Sequence, residues 1–210
     1  MTDLGRFITL EGGEGTGKST LIAGLERALS ARGHDVVVTR EPGGTKLAEA
    51  VRNLALHPPE DQAWSPLAHA LLMNTSRDDH LRNLIRPALA RGCWVICDRF
   101  ADSTRAYQSI DGVTPEDLLA IEAIVVGDTH PDLTLILDAA PNALAERRHQ
   151  RNVSDVFERK ATEFHERVRS AFLEIAESEP ERCVVLDALG SPDQVLTAAL
   201  NAIDTRLDRL

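Results

Sequence analysis

The sequence predicts an α/β protein in which a doubly wound, five-stranded parallel sheet is flanked by helices. Five short runs rich in apolar and β-branched residues alternate along the chain with longer segments of helical periodicity. The runs are apolar on both sides, which is typical of parallel strands buried between two layers of helices. Because no linker rich in Gly, Pro or Ser divides the 210 residues, we expect one domain covering residues 1–210.

The strands are assigned to the apolar runs, since branched and apolar side chains suit a covered sheet. In chain order, the predicted strands are residues 6–10, 35–39, 93–97, 133–137 and 183–186.

The predicted helices occupy residues 19–32, 46–56 and 65–90, and Pro87 is expected to bend the third or shorten its end. Two further helix starts are indicated where a hydroxyl residue precedes a proline, at Thr114 and at Ser191. A hydroxyl cap followed by proline in the first helical position favours initiation at both sites.

Composition limits the partners of the protein. The net charge of −10 argues against a general nucleic-acid binder or a binder of anionic membranes, because phosphate surfaces attract basic proteins. No apolar run approaches the roughly 18 residues that cross a bilayer. The three cysteines, Cys93, Cys97 and Cys183, lack the spacing of a zinc site. We therefore expect buried, reduced thiols in a cytoplasmic protein.

The most informative stretch is EGGEGTGKST at residues 11–20, which matches the pattern G-x-x-x-x-G-K-[ST]. It follows a predicted strand and opens a predicted helix, the context in which this motif binds phosphate. Glycines let successive N–H groups converge on one point, and a helix N-terminus adds partial positive charge. We predict a phosphate-binding loop for ATP and a fold of the P-loop NTPase type. The predicted ATP-binding residues are Gly12, Gly13, Glu14, Gly15, Thr16, Gly17, Lys18, Ser19 and Thr20.

Two acidic residues lie where predicted strands end. Asp98 closes the run CWVICD, and together with the Ser19 hydroxyl it is predicted to hold Mg²⁺ beside the phosphate loop. The alternative for Asp98 is an ordinary cap of a turn. Glu11 either has a polar role beside the acceptor or the metal, or is a solvated strand end.

Three arginines suggest a second anion site. Arg40 and Arg99 follow predicted strands, and Arg77 lies in the long helix. Since phosphoryl transfer depends mostly on positioning and charge neutralisation, such arginines are suited to clamp an anionic acceptor. The absence of an Asn-Lys-x-Asp string argues against a GTP switch.

The chain resembles the thymidylate kinases. Beside the phosphate loop, the resemblance is carried by TREPGGT at 39–45, RPALARG at 86–92, DRF with STRAYQ at 98–108, and PDLTLILD at 131–138. These blocks come in the family's order and cover almost the whole chain.

The resemblance implies Mg²⁺-dependent transfer of the ATP γ-phosphoryl group to dTMP, giving dTDP and ADP, in a homodimer. Lys18 and Arg99 would act on the transferred group, Arg40 would help hold the acceptor phosphate, and Arg77 would lie against thymine. Tyr107 would exclude a ribose 2′-hydroxyl. The implied dTMP-binding residues are Glu11, Arg40, Met73, Arg77, Arg99, Ser103, Tyr107 and Gln108.

The phosphate loop contains no arginine between its first and last glycines, so the chain resembles the bacterial type that supplies a catalytic arginine from a lid. The matching segment is residues 146–158, with Arg147 and Arg151 as candidates, since residues four apart share a helix face. The alternative is a solvated helix end.

Two other functions stay open. Met73 stands where the family usually has an aromatic residue stacked on the base, so the acceptor could be another nucleotide or a nucleoside. The chain could also be an ATP-binding protein that does not catalyse transfer.

Overall fold

The computed structural model describes residues 5–59, 62–141, 143 and 156–207. Its sheet has five strands in the order β2-β3-β1-β4-β5, and every neighbouring pair is parallel. The strands are β1 Phe7–Gly12, β2 Val36–Arg40, β3 Trp94–Asp98, β4 Leu133–Asp138 and β5 Cys183–Asp187. All five predicted strands are confirmed, with ends that differ by one or two residues.

The described helices include three that were expected at 19–32, 46–56 and 65–90, the last of them in two parts. They are α1 Lys18–Ala31, α2 Lys46–Leu56, α3 Pro66–His80, α4 Arg86–Ala90, α5 Ala101–Ile110, α6 Pro115–Val126, α7 Val156–Ser178 and α8 Pro192–Arg206. Helices α5 and α7 lie in stretches where the sequence analysis assigned none.

The long predicted helix is continuous but changes its winding. A π-helical turn, Leu81–Ile85, joins α3 to α4, and the N–H of Arg86 donates to the Leu81 carbonyl five residues back. Pro87, which has no N–H to donate, follows this turn without ending the helix. The chain therefore stays helical up to Ala90.

Hydroxyl caps fix the starts of α6 and α8. The Thr114 side chain accepts a hydrogen bond from the Asp117 N–H, and Ser191 forms a capping box with Gln194. Both predicted helix starts are confirmed, since a cap and a proline satisfy or remove donors that the first turn leaves free.

Apolar clusters cover both faces of the sheet. On one face, Leu25 of α1 and Ile203 of α8 pack with Ile8 of β1 in one cluster. On the other, Phe7 packs with Ile85, and Ile136 of β4 packs with α5 and α7. This double cover confirms the doubly wound class. Within the described ranges, none of the helices has the length and apolarity required to cross a membrane.

Candidate functional site

The carboxyl ends of the parallel strands bring the main candidate residues to one edge of the sheet. Arg40 is paired in register with Asp98, and Asp98 with Leu10, next to Glu11. In open α/β sheets, ligands bind at this edge, outside the strand ends. The edge is therefore where the predicted donor and acceptor residues should meet.

The phosphate loop contains three glycines with positive φ, of which Gly12 and Gly17 lie at its two ends. Gly12 has φ 126°, and a Cβ there would lie 2.4 Å from the Leu137 carbonyl oxygen of β4. Gly17 has φ 93° and is the N-cap of α1. Residues with a side chain rarely adopt such backbone angles, so Gly12 and Gly17 allow β1 to turn directly into the helix.

Lys18 folds back across the loop. Its ammonium donates to the carbonyls of Gly12 at 3.1 Å and Gly13 at 2.8 Å, and the residue is only 8% exposed. Burial and then the charge of Arg99 lower its pKa to about 8, against the opposite effect of Asp98. The ammonium group therefore lies at the loop, and the charge of Arg99 contributes to its lowered pKa.

Asp98 and Arg99 form the corner after β3. Asp98 Oδ1 is buried and has no hydrogen-bond partner among the described residues. Arg99 has φ 69°, a left-handed conformation that is uncommon for a residue with a side chain. Its guanidinium donates to Ser103 Oγ at 3.0 Å and to Tyr107 Oη at 3.3 Å. The guanidinium of Arg99 therefore points along α5.

The corner and the phosphate loop each carry an oxygen group suited to a divalent cation. An unpaired carboxylate oxygen at Asp98 and the exposed hydroxyl of Ser19 are oxygen groups of the kind that Mg²⁺ prefers. In the described part of the chain, no group of three or more His, Cys, Asp or Glu side chains could hold a metal.

Glu11 is fully buried and holds the start of α5. Its carboxylate accepts from the Phe100 N–H at 2.7 Å and from Ser103 Oγ at 2.6 Å. Burial, followed by the charge of Asp102, raises the pKa of Glu11 to about 7. The position is not the solvated strand end considered as an alternative, and it supports the residues around Arg99.

A cavity of about 180 Å³ lies between α3 and α5, next to this corner. It extends from Glu14 of the phosphate loop to Leu56 at the end of α2. Six of the residues predicted for dTMP line it: Met73, Arg77, Arg99, Ser103, Tyr107 and Gln108. We call it the acceptor cavity.

Arg40 is not among the residues that line the acceptor cavity. Its side chain is 53% exposed and pairs with Glu49 of α2 at 2.8 Å. Both hydrogen bonds to Glu49 come from Nη2 of the guanidinium, and the expected contact of Arg40 with an acceptor phosphate stays a prediction.

Arg77 belongs to a buried polar network. Its guanidinium donates to Glu41 at 2.8 Å, to Asn74 at 2.8 Å, and to Thr104 and the Phe100 carbonyl at 2.9 and 3.0 Å. Glu41 also bonds His80, which lies three residues after Arg77. Neither Glu41 nor His80 was predicted from the sequence, although Glu41 is part of the block TREPGGT.

A second cavity of about 260 Å³ lies on the other side of the phosphate loop, at the end of β5. Its lining includes Gly15, Thr20, Leu189 and Ser191. Leu189 and Ser191 were not predicted as site residues. Their position just after the fifth strand was the available signal, since that strand ends at the same edge.

The lid candidates Arg147 and Arg151 lie outside the described residues. Helix α7 begins at Val156. It is held to the end of β4 by Arg169, whose guanidinium binds the Asp138 carboxylate at 2.6 and 2.9 Å. A two-point ion pair of this kind fixes α7 beside the phosphate loop.

Comparison with known proteins identifies the family of this chain. The model of the thymidylate kinase family matches residues 10–199. The chain belongs to the thymidylate kinase family.

Thymidylate kinases from several bacteria are similar to it over nearly their whole length. That of Caulobacter vibrioides is 51% identical across 97% of this chain and 98% of its own. That of Rhizorhabdus wittichii is 46% identical across 95% and 97%. The crystal structure of thymidylate kinase from Ehrlichia chaffeensis has a TM-score of 0.76 and 33% identity, covering 95% of this chain and 98% of that one. The resemblance and fold expected from the sequence are confirmed.

Proposed function

We propose that the protein transfers the γ-phosphoryl group of ATP to dTMP, giving dTDP and ADP. The observation that carries the proposal is that the acceptor cavity reaches the phosphate loop, since Glu14 of the loop and Arg99 both line it. Lys18 lies on the same loop, and Arg99 contributes to the lowering of its pKa. A group passing from donor to acceptor would therefore cross a region that both cations can neutralise.

The donor side follows from the loop. ATP would place its phosphates on residues 12–20 and its base in the cavity at the end of β5. Lys18 donates to the loop's own carbonyls in this structure, and it would exchange those bonds for phosphate oxygens when ATP binds. Mg²⁺, held near Ser19 and Asp98, would supply further positive charge to the phosphates.

The acceptor side follows from the cavity between α3 and α5. An oxygen of the dTMP phosphate would attack the γ-phosphorus as the bond to the bridging oxygen of ADP breaks. Arg99 would hold the acceptor phosphate, and Arg77 and Met73 would lie against the base. Ser103 and Tyr107 would contact the sugar, where the tyrosine ring leaves little room for a 2′-hydroxyl.

The lid remains part of the proposal. Residues 146–158 would close over the phosphates and bring Arg147 or Arg151 to the transferred group, which would exclude water that otherwise hydrolyses ATP. We treat residues 1–210 as one P-loop kinase domain carrying this lid.

We further propose a cytoplasmic homodimer. Cys93, Cys97 and Cys183 are buried free thiols, as expected in a reducing compartment. Leu67 and Leu71 lie four residues apart on one face of α3 and are 48% and 47% exposed, which supports α3 as the contact between protomers.

A panel of acceptors tests the activity. ADP release would be measured by a coupled assay with ATP, Mg²⁺ and either dTMP, dUMP, dCMP or dGMP. We expect dTMP to have the highest kcat/KM, and Lys18→Ala to abolish turnover with every acceptor. A better acceptor than dTMP would support the alternative raised by Met73. No dTDP at saturating substrates would support an ATP-binding protein without transfer activity.

A further inference from the structure

The backbone at Arg99 is held from three sides. Its left-handed φ of 69° is unfavourable for a residue with a side chain and persists only where the surroundings impose it. The Arg99 N–H donates to the Leu10 carbonyl at 2.9 Å, and the Arg99 carbonyl accepts from the Cys97 thiol at 3.0 Å. The next N–H, that of Phe100, donates to the Glu11 carboxylate at 2.7 Å. Residues of β1 and β3 therefore impose the conformation of this corner.

The side chain of Arg99 is linked to the same carboxylate through Ser103. Ser103 Oγ accepts from Arg99 Nη1 at 3.0 Å and donates to Glu11 Oε2 at 2.6 Å. A guanidinium cannot accept a hydrogen bond and an ionised carboxylate cannot donate one, so the single hydroxyl proton of Ser103 points to Glu11. Glu11 therefore turns the lone pairs of Ser103 towards Arg99.

Glu11 acts on the acceptor cavity without lining it. The cavity is lined by Arg99 and Ser103, whereas Glu11 is fully buried behind them and is not among the lining residues. A guanidinium has five N–H donors, and Arg99 uses two of them on Ser103 and Tyr107. The other three have no partner among the described residues. Donors fixed in one plane suit the oxygens of a phosphate group.

We propose that Glu11 is a positioning residue for the acceptor phosphate, because it fixes the Arg99 guanidinium through the Phe100 N–H and the Ser103 hydroxyl before dTMP binds. This inference rests on the proposed function, since it takes the phosphate of dTMP as the ligand of Arg99. A side chain that is ordered in advance binds more tightly, because the ligand does not have to order it. The sign of the effect is distinctive, since a negative charge near the phosphate would by itself weaken binding of an anion.

The test compares two ligands that differ only in the phosphate. Binding of dTMP and of thymidine would be measured by calorimetry on wild type, Glu11→Gln, Arg99→Ala and the double variant. Glutamine keeps the shape of the side chain and an oxygen for the Phe100 N–H, but its amide would donate to Ser103 Oγ where the carboxylate accepts. The measurements are made at about pH 8, where wild-type Glu11 is mostly ionised because burial raises its pKa only to about 7.

Thr9→Val is the matched control. Thr9 is fully buried, lies two residues before Glu11 on the same face of β1, and forms a hydrogen bond with Thr134 at 2.8 Å. The variant therefore removes a buried hydrogen bond from the same strand without touching the corner at Arg99.

We expect Glu11→Gln to weaken dTMP binding about fivefold and to leave thymidine binding unchanged, so that the contribution of the phosphate falls by the same factor. In the Arg99→Ala background, Glu11→Gln should have no further effect, because its effect depends on that guanidinium. Thr9→Val should bind both ligands as wild type does.

A merely structural role of Glu11 predicts a different pattern. Glu11→Gln should have a higher Tm than wild type at about pH 8, because the buried carboxyl no longer has to ionise. Weaker dTMP binding by a more stable variant does not come from partial unfolding. Equal or tighter dTMP binding, an equal loss for thymidine, or an undiminished loss in the Arg99→Ala background would overturn the positioning role. Wild type that binds dTMP no more tightly than thymidine would instead overturn the proposed function.

Discussion

The side chain of Lys18 is buried, and burial disfavours its charged form. Its pKa is lowered to about 8, first by desolvation and then by Arg99, so the ammonium form that binds phosphate is lost not far above neutral pH. Bound phosphate would restore the charge, because an adjacent anion stabilises the cation. The free protein and its ATP complex should therefore differ in their response to pH.

This difference can be measured in the pH–rate profile. We expect kcat/KM for ATP to fall as the pH rises through about 8, because that parameter reports the free enzyme. The value of kcat at saturating ATP should stay level to higher pH. A kcat/KM that does not fall between about pH 7 and pH 9 would contradict the lowered pKa of Lys18.

Glu11 predicts a second pH effect, on stability. Its folded pKa, raised to about 7, exceeds the ordinary value of 4.5, so the folded state binds the proton more tightly than the unfolded state does. The contribution to stability is present below pH 4.5 and is lost as the pH rises through about 7. We expect Glu11→Gln to have a higher Tm than wild type at about pH 8 and a similar Tm at about pH 5. Parallel Tm curves between these pH values would refute this.

The sequence predicted single residues best where backbone chemistry fixes their role. The motif alone predicts Gly12, Gly17 and Lys18. The turn from strand to helix needs residues that adopt positive φ, and phosphate binding needs a cation. Arg77 was predicted as a site residue from the sequence. Its hydrogen bonds to Glu41 and Thr104 were not predicted, since those contacts join residues 36 and 27 positions apart. Arg40 was placed by the resemblance, and its pairing with Glu49 depends on the exact path of the chain into α2.

At the scale of elements, the segment between β2 and α2 depends on one close approach. A Cβ on Gly44 would lie 2.4 Å from His80 Nε2 and 2.7 Å from Thr39 Oγ1. His80 in turn bonds Glu41, which holds Arg77. The segment is therefore packed against the same buried network that lines the acceptor cavity.

A matched pair of glycines tests this packing. Gly33 has φ 93° and no atom within 4 Å of the point that a Cβ would occupy, whereas Gly44 has φ 94° and a crowded surrounding. Gly33→Ala should lower the free energy of unfolding by about 1–2 kcal/mol through backbone strain alone. Gly44→Ala should lower it by about 1–3 kcal/mol more, because neighbouring side chains must move. Equal losses in urea denaturation would show that the contact with His80 is unimportant.

Strands were easier to predict than two of the helices. The strands are nearly uniform apolar runs, but α5 carries mostly polar side chains that face the site, so its helical period is weak. Helix α7 did contain a usable signal: Val168, Phe172, Ile175 and Ala176 are buried at helical spacing. Its first residues, 156–158, overlap the predicted lid at 146–158, so the sequence there was interpreted as lid and not as the start of a helix.

At the scale of the whole molecule, the exposed face of α3 predicts association. Leu71→Glu would place a charge on the apolar face formed with Leu67, so we expect it to convert a dimer to monomers in sedimentation velocity. An unchanged thermal transition by circular dichroism would show that the variant is folded. If Leu71→Glu sediments like wild type, α3 is not the contact.

The strand order places the two cavities in opposite halves of the molecule. The acceptor cavity is built from segments that follow β2 and β3, and the cavity at the end of β5 belongs to the opposite half, with the phosphate loop on the central strand between them. If the two cavities hold the acceptor and ATP as proposed, changes that alter which nucleotide is phosphorylated would accumulate on one side and leave ATP binding on the other side undisturbed. Redesign of acceptor choice would begin with α3 and α5 and leave the β4–β5 half as it is.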